Sequence, residues 1–314
     1  MPDIVCMGLV TADVWAKPIN DFPEWGRLML VDRMGIGIGG CASNTAIDLA
    51  ILGTDVSCMA KVGYDGFGDV AIGILEEYGV KIRIKRTREE GTSATVVLID
   101  DQGERSFLHT PGAGKTMRAA DVDMDEIKAA KILHFAGALV MPGFDGAESA
   151  SVLEEARAAG VTTSLDVVWD STGRWMQTLE PALRHADIFM PSLPEAEKMV
   201  GEGEPREVAE KLLDYGVKIV ALKNGEDGAY VATADGQEVT APVYPVEVVD
   251  GTGSGDAFCA GFLRGQLEGW DLEKATKFGC AAGALCCTGI GTVAGMKPFA
   301  EVIEWLQGME PGYW

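Results

Sequence analysis

Short apolar strands alternate with amphipathic helical stretches over most of this chain, and that alternation constrains its fold more than any other feature. Ile4 to Val10 is a short apolar run, as expected of a strand covered on both faces. Phe67, Val70, Ile74, Leu75 and Tyr78 fall on one helical face, and Gly79 is the predicted stop. The pattern then repeats, with a strand at Ile132 to Phe135, a helix over 146–159, a strand at Val161 to Val168, a helix over 205–215 and a strand at Val217 to Lys223. This order predicts an α/β fold with a mostly parallel central sheet and helices on both faces. Ligands bind beyond the carboxyl ends of such strands, where Asp13, Asp166, Lys223 and the turn from Gly251 to Asp256 are expected to fall.

Two segments break the alternation. Pro18, Pro23 and Gly26 interrupt residues 14–38, and Leu28, Leu30, Met34, Ile36 and Ile38 recur at even positions, as on a sheet face. Thr92 to Ile99 reads as a strand, and Asp100-Asp101-Gln102-Gly103 turns it towards Arg105 to His109. Together they predict a second, small sheet from residues 13–36 and 91–112, beside a core of 1–12, 37–90 and 113–314.

The richest local motif is Val248-Val249-Asp250-Gly251-Thr252-Gly253-Ser254-Gly255-Asp256-Ala257-Phe258. It is read as a strand joined by a glycine-rich turn to a helix beginning near Asp256. The glycines permit positive φ and leave N–H groups uncovered, while the helix aims its positive end at the same place, so a phosphate fits. Asp256 alone would be read as a helix N-cap. Three glycines ahead of it, and Ala257, Ala260, Gly261 and Gly265 along the helix, exceed what a cap needs and favour a catalytic base. A second glycine-opened helix starts at Gly39-Gly40-Cys41-Ala42-Ser43-Asn44. Its plain reading is a strand end and a solvated Asn44; its functional reading is Asn44 and the Gly40 backbone holding the hydroxyls of a polyol.

Other motifs count for less. Gly35 to Gly40 satisfies G-x-G-x-x-G with Asp55 some 20 residues after Gly35, but Asp55 stands at the start of the next strand rather than its carboxyl end. Gly112-Ala113-Gly114-Lys115-Thr116 imitates the end of a phosphate-binding loop, yet His109 occupies the place of its first glycine. Glu195, in Pro191-Ser192-Leu193-Pro194-Glu195, is either a first-turn acid favoured by the helix dipole or an organiser of Mg2+ through water. The histidines at 109, 134 and 185 lack metal-ligand spacing. A net charge of −22 argues against nucleic acid or an anionic membrane surface as partner. Seven cysteines without a C-x-x-C pair, no signal-like start and no long apolar run predict a cytoplasmic protein.

Taken together, Gly39 to Ala46 and Asp250 to Phe258 resemble the two signature regions of the ribokinase-like (PfkB-type) carbohydrate kinases. Lys61 to Asp69 and the stretch from Gly103-Glu104-Arg105-Ser106-Phe107 to Gly112-Ala113 extend the likeness over nearly the whole chain. The resemblance implies transfer of the γ-phosphate of ATP, with Mg2+, to a hydroxymethyl group of a small carbohydrate. It further implies that the small sheet is a β-lid over the substrate and that lids pair into a homodimer. By matched position Asp256 is the base and the Gly253, Ser254 and Gly255 N–H groups form the anion hole. Asp13, Gly39, Gly40 and Asn44 hold the sugar, while Lys223, Gly225, Thr252, Gly253 and Gly255 approach the nucleotide. Glu195 serves Mg2+ through water, and Asp250 with Thr252 matches a K+ site present in some members. Two positions depart from the pattern: Ser192 replaces the asparagine of N-x-x-E, and Gly251 replaces the threonine of D-T-x-G. Two rival readings are a nucleoside kinase, with an aromatic platform from Trp15, Phe22, Trp25 or Phe107, and a non-catalytic binding protein. His109, Asp166 and Trp169 are candidate wall residues.

Overall fold

The computed structural model describes residues 1–102 and 104–314; Gly103, in the turn expected before Arg105, lies outside the described residues. Nine strands form the larger sheet in the order Glu238–Ala241, Ala229–Thr233, Ile219–Lys223, Ile188–Phe189, Thr162–Val167, Ile132–Ala138, Ile4–Gly8, Val56–Met59 and Lys81–Ile82. The seven from Lys81–Ile82 to Ile219–Lys223 run parallel, and the last two pair antiparallel. From Ile4–Gly8 the chain first builds outward through Val56–Met59, then returns to the other side through Ile132–Ala138. That reversal is the switch point at which the crevice of such a sheet opens.

Burial on both faces explains the apolar runs. Ile4 and Cys6 pack into one core with the helices Cys41–Ile51, Ser254–Leu267 and Leu272–Cys286. Val5 and Met7 pack into the other, against Ala147–Ala158, Met176–Leu183 and Pro205–Leu213. Successive residues of a strand point to opposite faces, so only an all-apolar segment serves both layers. The helix expected around Phe67 to Tyr78 spans Gly66–Glu77; Gly79, at φ 78°, follows its C-cap. Among the described residues no helix is long and apolar enough to cross a membrane.

The smaller sheet has four strands in the order Arg33–Gly39, Thr11–Lys17, Ala94–Ile99 and Arg105–Thr110. Register places Asp13 beside Thr95 and His109, Trp15 beside Val97 and Phe107, and Ile99 beside Arg105. Those side chains share one face. Asp13 follows the end of the first strand and lies inside a strand of this sheet. Two expectations need correction. Leu28 and Leu30 precede the strand that carries Met34 and Ile36, and all four are exposed; the alternation marks an uncovered face rather than a longer strand. Val248 to Asp250 is not a strand. Pro242 and Pro245 remove ladder donors, and the Val249 and Asp250 N–H groups both turn to the Cys287 carbonyl, at 2.8 and 3.1 Å.

Candidate active site

Two helices start side by side at the switch point, each on a glycine no other residue could replace without strain. Gly40 caps Cys41–Ile51 at φ 93°, and a Cβ there would lie 2.5 Å from the Leu9 carbonyl oxygen. Gly253 caps Ser254–Leu267 at φ 85°, and a Cβ there would lie 2.1 Å from the Thr292 oxygen. The second helix therefore begins at Ser254, two residues before the expected start, and Asp256 is not its N-cap. Instead the Asp256 carboxylate accepts a hydrogen bond from Asn44 Nδ2 at 2.8 Å, across 212 residues of sequence. Asn44 is buried, not a solvated first-turn residue. Among the described residues the N–H groups of Gly253, Gly255 and Asp256 have no acceptor in the protein. The turn is thus a set of aimed donors beside a buried carboxylate. Burial raises the proton affinity of Asp256, opposed by the Asn44 bond and the charge of Lys223.

Lys223, at the carboxyl end of its strand, donates to Asp166 Oδ1 at 2.8 Å. Burial disfavours the ammonium, but Asp166 beside it outweighs burial and keeps Lys223 charged. Burial in turn pushes the Asp166 carboxyl up to about 7 against the pull of Lys223. A Cβ on Gly255 would stand 3.5 Å from Lys223 Nζ, so the ammonium and the open helix end face the same space. Gly225, at φ 55°, opens a short 3-10 turn just past Lys223.

The remaining predicted residues are placed less simply. Asp13 accepts from Thr11 Oγ1 at 2.9 Å and lies against Gly39, where a Cβ would fall 2.0 Å from Asp13 Oδ2. Burial raises its proton affinity. Glu195 Oε2 accepts from both the N–H and the hydroxyl of Ser192, at 2.8 and 2.6 Å, closing a capping box. Ser192 thereby takes up one oxygen of Glu195, and Oε1 has no hydrogen-bond partner among the described residues. Asp250 accepts from the Thr252 N–H and the Gly291 N–H, both at 2.8 Å. Although burial acts against it, these bonds hold its carboxyl below the usual range. The positive charge at Asp250 and Thr252 is Arg105, whose guanidinium bonds both side chains. The place matched to K+ is therefore not open. The loop imitating a phosphate site, Gly112–Thr116, is a short helix whose Lys115 pairs with Glu90 at 2.8 Å.

Two cavities flank the turn. One, about 380 Å3, is bordered by Lys223, Gly225, Ser254 and Gly255 and walled by apolar side chains such as Val246 and Ala284. The other, about 370 Å3, lies under the small sheet between Asp13, Trp15, Arg105 and Phe107 on one side and Thr252 and Thr292 on the other. An elongated charged ligand and a compact acceptor can thus meet at the turn from opposite sides.

Three residues escaped prediction. Cys41 lies with Asp166 and Asp256 in a cluster whose side-chain donor atoms are all within 4.8 Å of one another. Burial pushes its thiol up, so it is a neutral neighbour of the carboxylates rather than a nucleophile. Asp48 is fully buried with neither oxygen bonded, and burial, with the charge of Asp256, raises its proton affinity. Its signal was there: an acid between Ile47 and Leu49 in the otherwise apolar stretch 46–51. Arg105 had none, because its partners are 145 and 147 residues away.

A large, mostly parallel sheet covered by helices, with a separate small sheet alongside, defines a ribokinase-like α/β fold. The family model described as "pfkB family carbohydrate kinase" matches residues 1–298, and the chain belongs to that family. It is thereby an ATP-dependent carbohydrate kinase. Over 288 residues it is 35% identical to the ATP-dependent ribose-1-phosphate kinase of Halopiger xanaduensis, covering 91% of this chain and 92% of that protein. Its fold matches that of Arabidopsis thaliana ribokinase complexed with ribose and ATP at TM-score 0.85 and 25% identity, covering 98% of this chain and 99% of the other. A chain described as ribokinase II of E. coli, in complex with ATP and Mg2+, matches at TM-score 0.84 and 24% identity over 98% of this chain and 100% of that one.

Proposed function

We propose that this kinase transfers the γ-phosphate of ATP to a hydroxymethyl group of a small carbohydrate, with Asp256 as general base. The observation that carries the reading is the pairing of a buried Asp256, held by Asn44, with unpaired N–H groups at the start of the same helix. As the acceptor oxygen bonds phosphorus and the bond to the β-phosphate bridging oxygen breaks, the hydroxyl proton passes to Asp256. The Gly253, Ser254 and Gly255 backbone forms the anion hole, with Lys223 adding a fixed positive charge. Lys223, Gly225, Thr252, Gly253 and Gly255 approach the nucleotide, whose apolar base suits the walls of the 380 Å3 cavity. Mg2+ would neutralise developing phosphate charge, and Glu195 Oε1 fits an ion that keeps its water shell. Asp13, Gly39, Gly40 and Asn44 hold the sugar.

The small sheet, taken as residues 13–36 and 91–112, acts as a lid that excludes water from the acceptor. Exposed apolar side chains, Leu28 and Leu30 ahead of its edge strand and Met34 on that strand, support pairing of two lids in a homodimer. A second reading, a nucleoside acceptor, is favoured by Trp15 and Phe107 on the cavity wall. Measuring ADP release with MgATP across pentoses, hexoses, acidic sugars, sugar phosphates and nucleosides tests both. Turnover with a sugar supports the first reading, and turnover confined to nucleosides replaces it with the second. No turnover with any acceptor, while ATP still binds, overturns the catalytic role. Light scattering tests the dimer: a monomer at micromolar concentration removes the lid pairing.

A further inference from the structure

Asp250 is a buried carboxylate whose one positively charged partner among the described residues arrives from the other sheet. Its Oδ1 accepts from the Thr252 N–H and from Arg105 Nη1, and its Oδ2 accepts from the Gly291 N–H. The same Arg105 nitrogen reaches Thr252 Oγ1. The guanidinium therefore closes a ring that runs from the small sheet, through Asp250 and Thr252, into Gly253, the cap of the phosphate-facing helix. Arg105 stands on the strand Arg105–Thr110, on the sheet face that also carries Trp15 and Phe107. Withdrawing the small sheet would leave Asp250 buried without countercharge, a costly state.

A free K+ ion at this place would need the Asp250 oxygen that Arg105 occupies, and two cations cannot share one small buried site. We propose that Arg105 is a tethered replacement for a monovalent cation: the guanidinium sets the Asp250-to-Gly253 turn only when the small sheet is closed. Docking of the sheet, rather than the K+ concentration, then organises the anion hole. Arg105 is a positioning residue, acting on phosphate through the turn, and its role in turnover rests on the proposed phosphoryl transfer.

The test compares wild type with Arg105→Ala and Arg105→Gln in KCl, NaCl and choline chloride at constant ionic strength, reading thermal melting, ATP affinity by calorimetry, and kcat and KM separately. Wild type is expected to show equal melting, ATP affinity and kcat in all three salts. Arg105→Ala is expected to lose about 30-fold or more in kcat, as for truncation of one partner of a buried charge pair, and to regain several-fold on adding millimolar guanidinium or K+. A wild type that melts higher, binds ATP tighter or turns over faster in K+ than in choline overturns the proposal. So does a variant that keeps wild-type kcat, or one whose defect neither K+ nor guanidinium relieves. If Arg105→Ala does not fold, the wild-type salt series and Arg105→Gln decide. If wild type turns over no acceptor, phosphoryl transfer fails, while melting and ATP binding still judge the cation.

Discussion

The two glycine-capped helix starts at the switch point share a backbone and differ in chemistry. Both caps sit at positive φ against a neighbouring carbonyl, and neither helix has a side-chain cap. At the first, the Ala42 N–H is spent on the Leu9 carbonyl at 3.2 Å, and the Ser43 hydroxyl donates to the Gly39 and Gly40 carbonyls. Among the described residues its Cys41 and Ser43 N–H groups have no acceptor, and it offers Asn44 as an amide. At the second, the Ser254 N–H is spent on the Gly251 carbonyl at 3.3 Å, those of Gly253, Gly255 and Asp256 have no acceptor among the described residues, and Asp256 supplies a carboxylate. Unspent donors are common to both starts; the first is the mount of an amide, whereas the second sets a carboxylate and the Lys223 ammonium at the same helix end. The bond from Asn44 to Asp256 ties mount to site.

Breaking the active half should matter most. Asp256→Asn removes the proton acceptor while preserving shape, and kcat should fall by about 10^2 to 10^4, the usual share of a general base. Melting should change little, since Asp256 does not cap the helix; retained turnover would remove it from catalysis. Next comes Gly253→Ala, which forces a Cβ against Thr292 and displaces the turn. A displacement near 1 Å costs roughly 10^2 in rate, and kcat for MgATP turnover should drop with it. Gly40→Ala strains the mount instead and should raise the acceptor KM more than the nucleotide KM. Equal effects of the two glycine changes on both substrates would erase the distinction between the helix starts.

Cutting the tie is a smaller perturbation. Asn44→Ala leaves the Asp256 carboxylate without its donor, a loss of roughly 1–3 kcal/mol, and kcat should fall on the order of tenfold. The pH profile gives the sharper reading. Asp256 acts as a base only when ionised, so activity falls as pH drops through its raised pKa, above the ordinary value of about 4. Removing the Asn44 bond takes away the largest influence that lowers this pKa, so the acid limb should move to higher pH. A limb that stays in place would mean that another group titrates there. Smallest of all, Glu195→Gln retains the capping box with Ser192, so melting should hold while KM for MgATP rises a few-fold. An unchanged KM across Mg2+ concentrations would leave Glu195 with capping alone.

Local chemistry made much of this legible. The uninterrupted apolar Ile4 to Val10 segment announced a strand buried on both faces, and the glycines at 253 and 255 announced an open helix start. Legibility failed where distance in sequence mattered. Val248 to Asp250 reads as a strand by composition, but its donors found Cys287 rather than a sheet neighbour.

By itself the sequence determined the parallel α/β architecture, the two glycine-opened helices and the choice of Asp256 and Asn44 as chemical groups. Periodicity, turn propensity and glycine tolerance act over a few residues and are written locally. Only the tertiary structure decided that Asn44 bonds Asp256, that Asp166 pairs with Lys223 and that Arg105 reaches Asp250. Each of those contacts joins segments at least 57 residues apart, and burial, which strengthens them and shifts their proton affinities, exists only once the layers have packed.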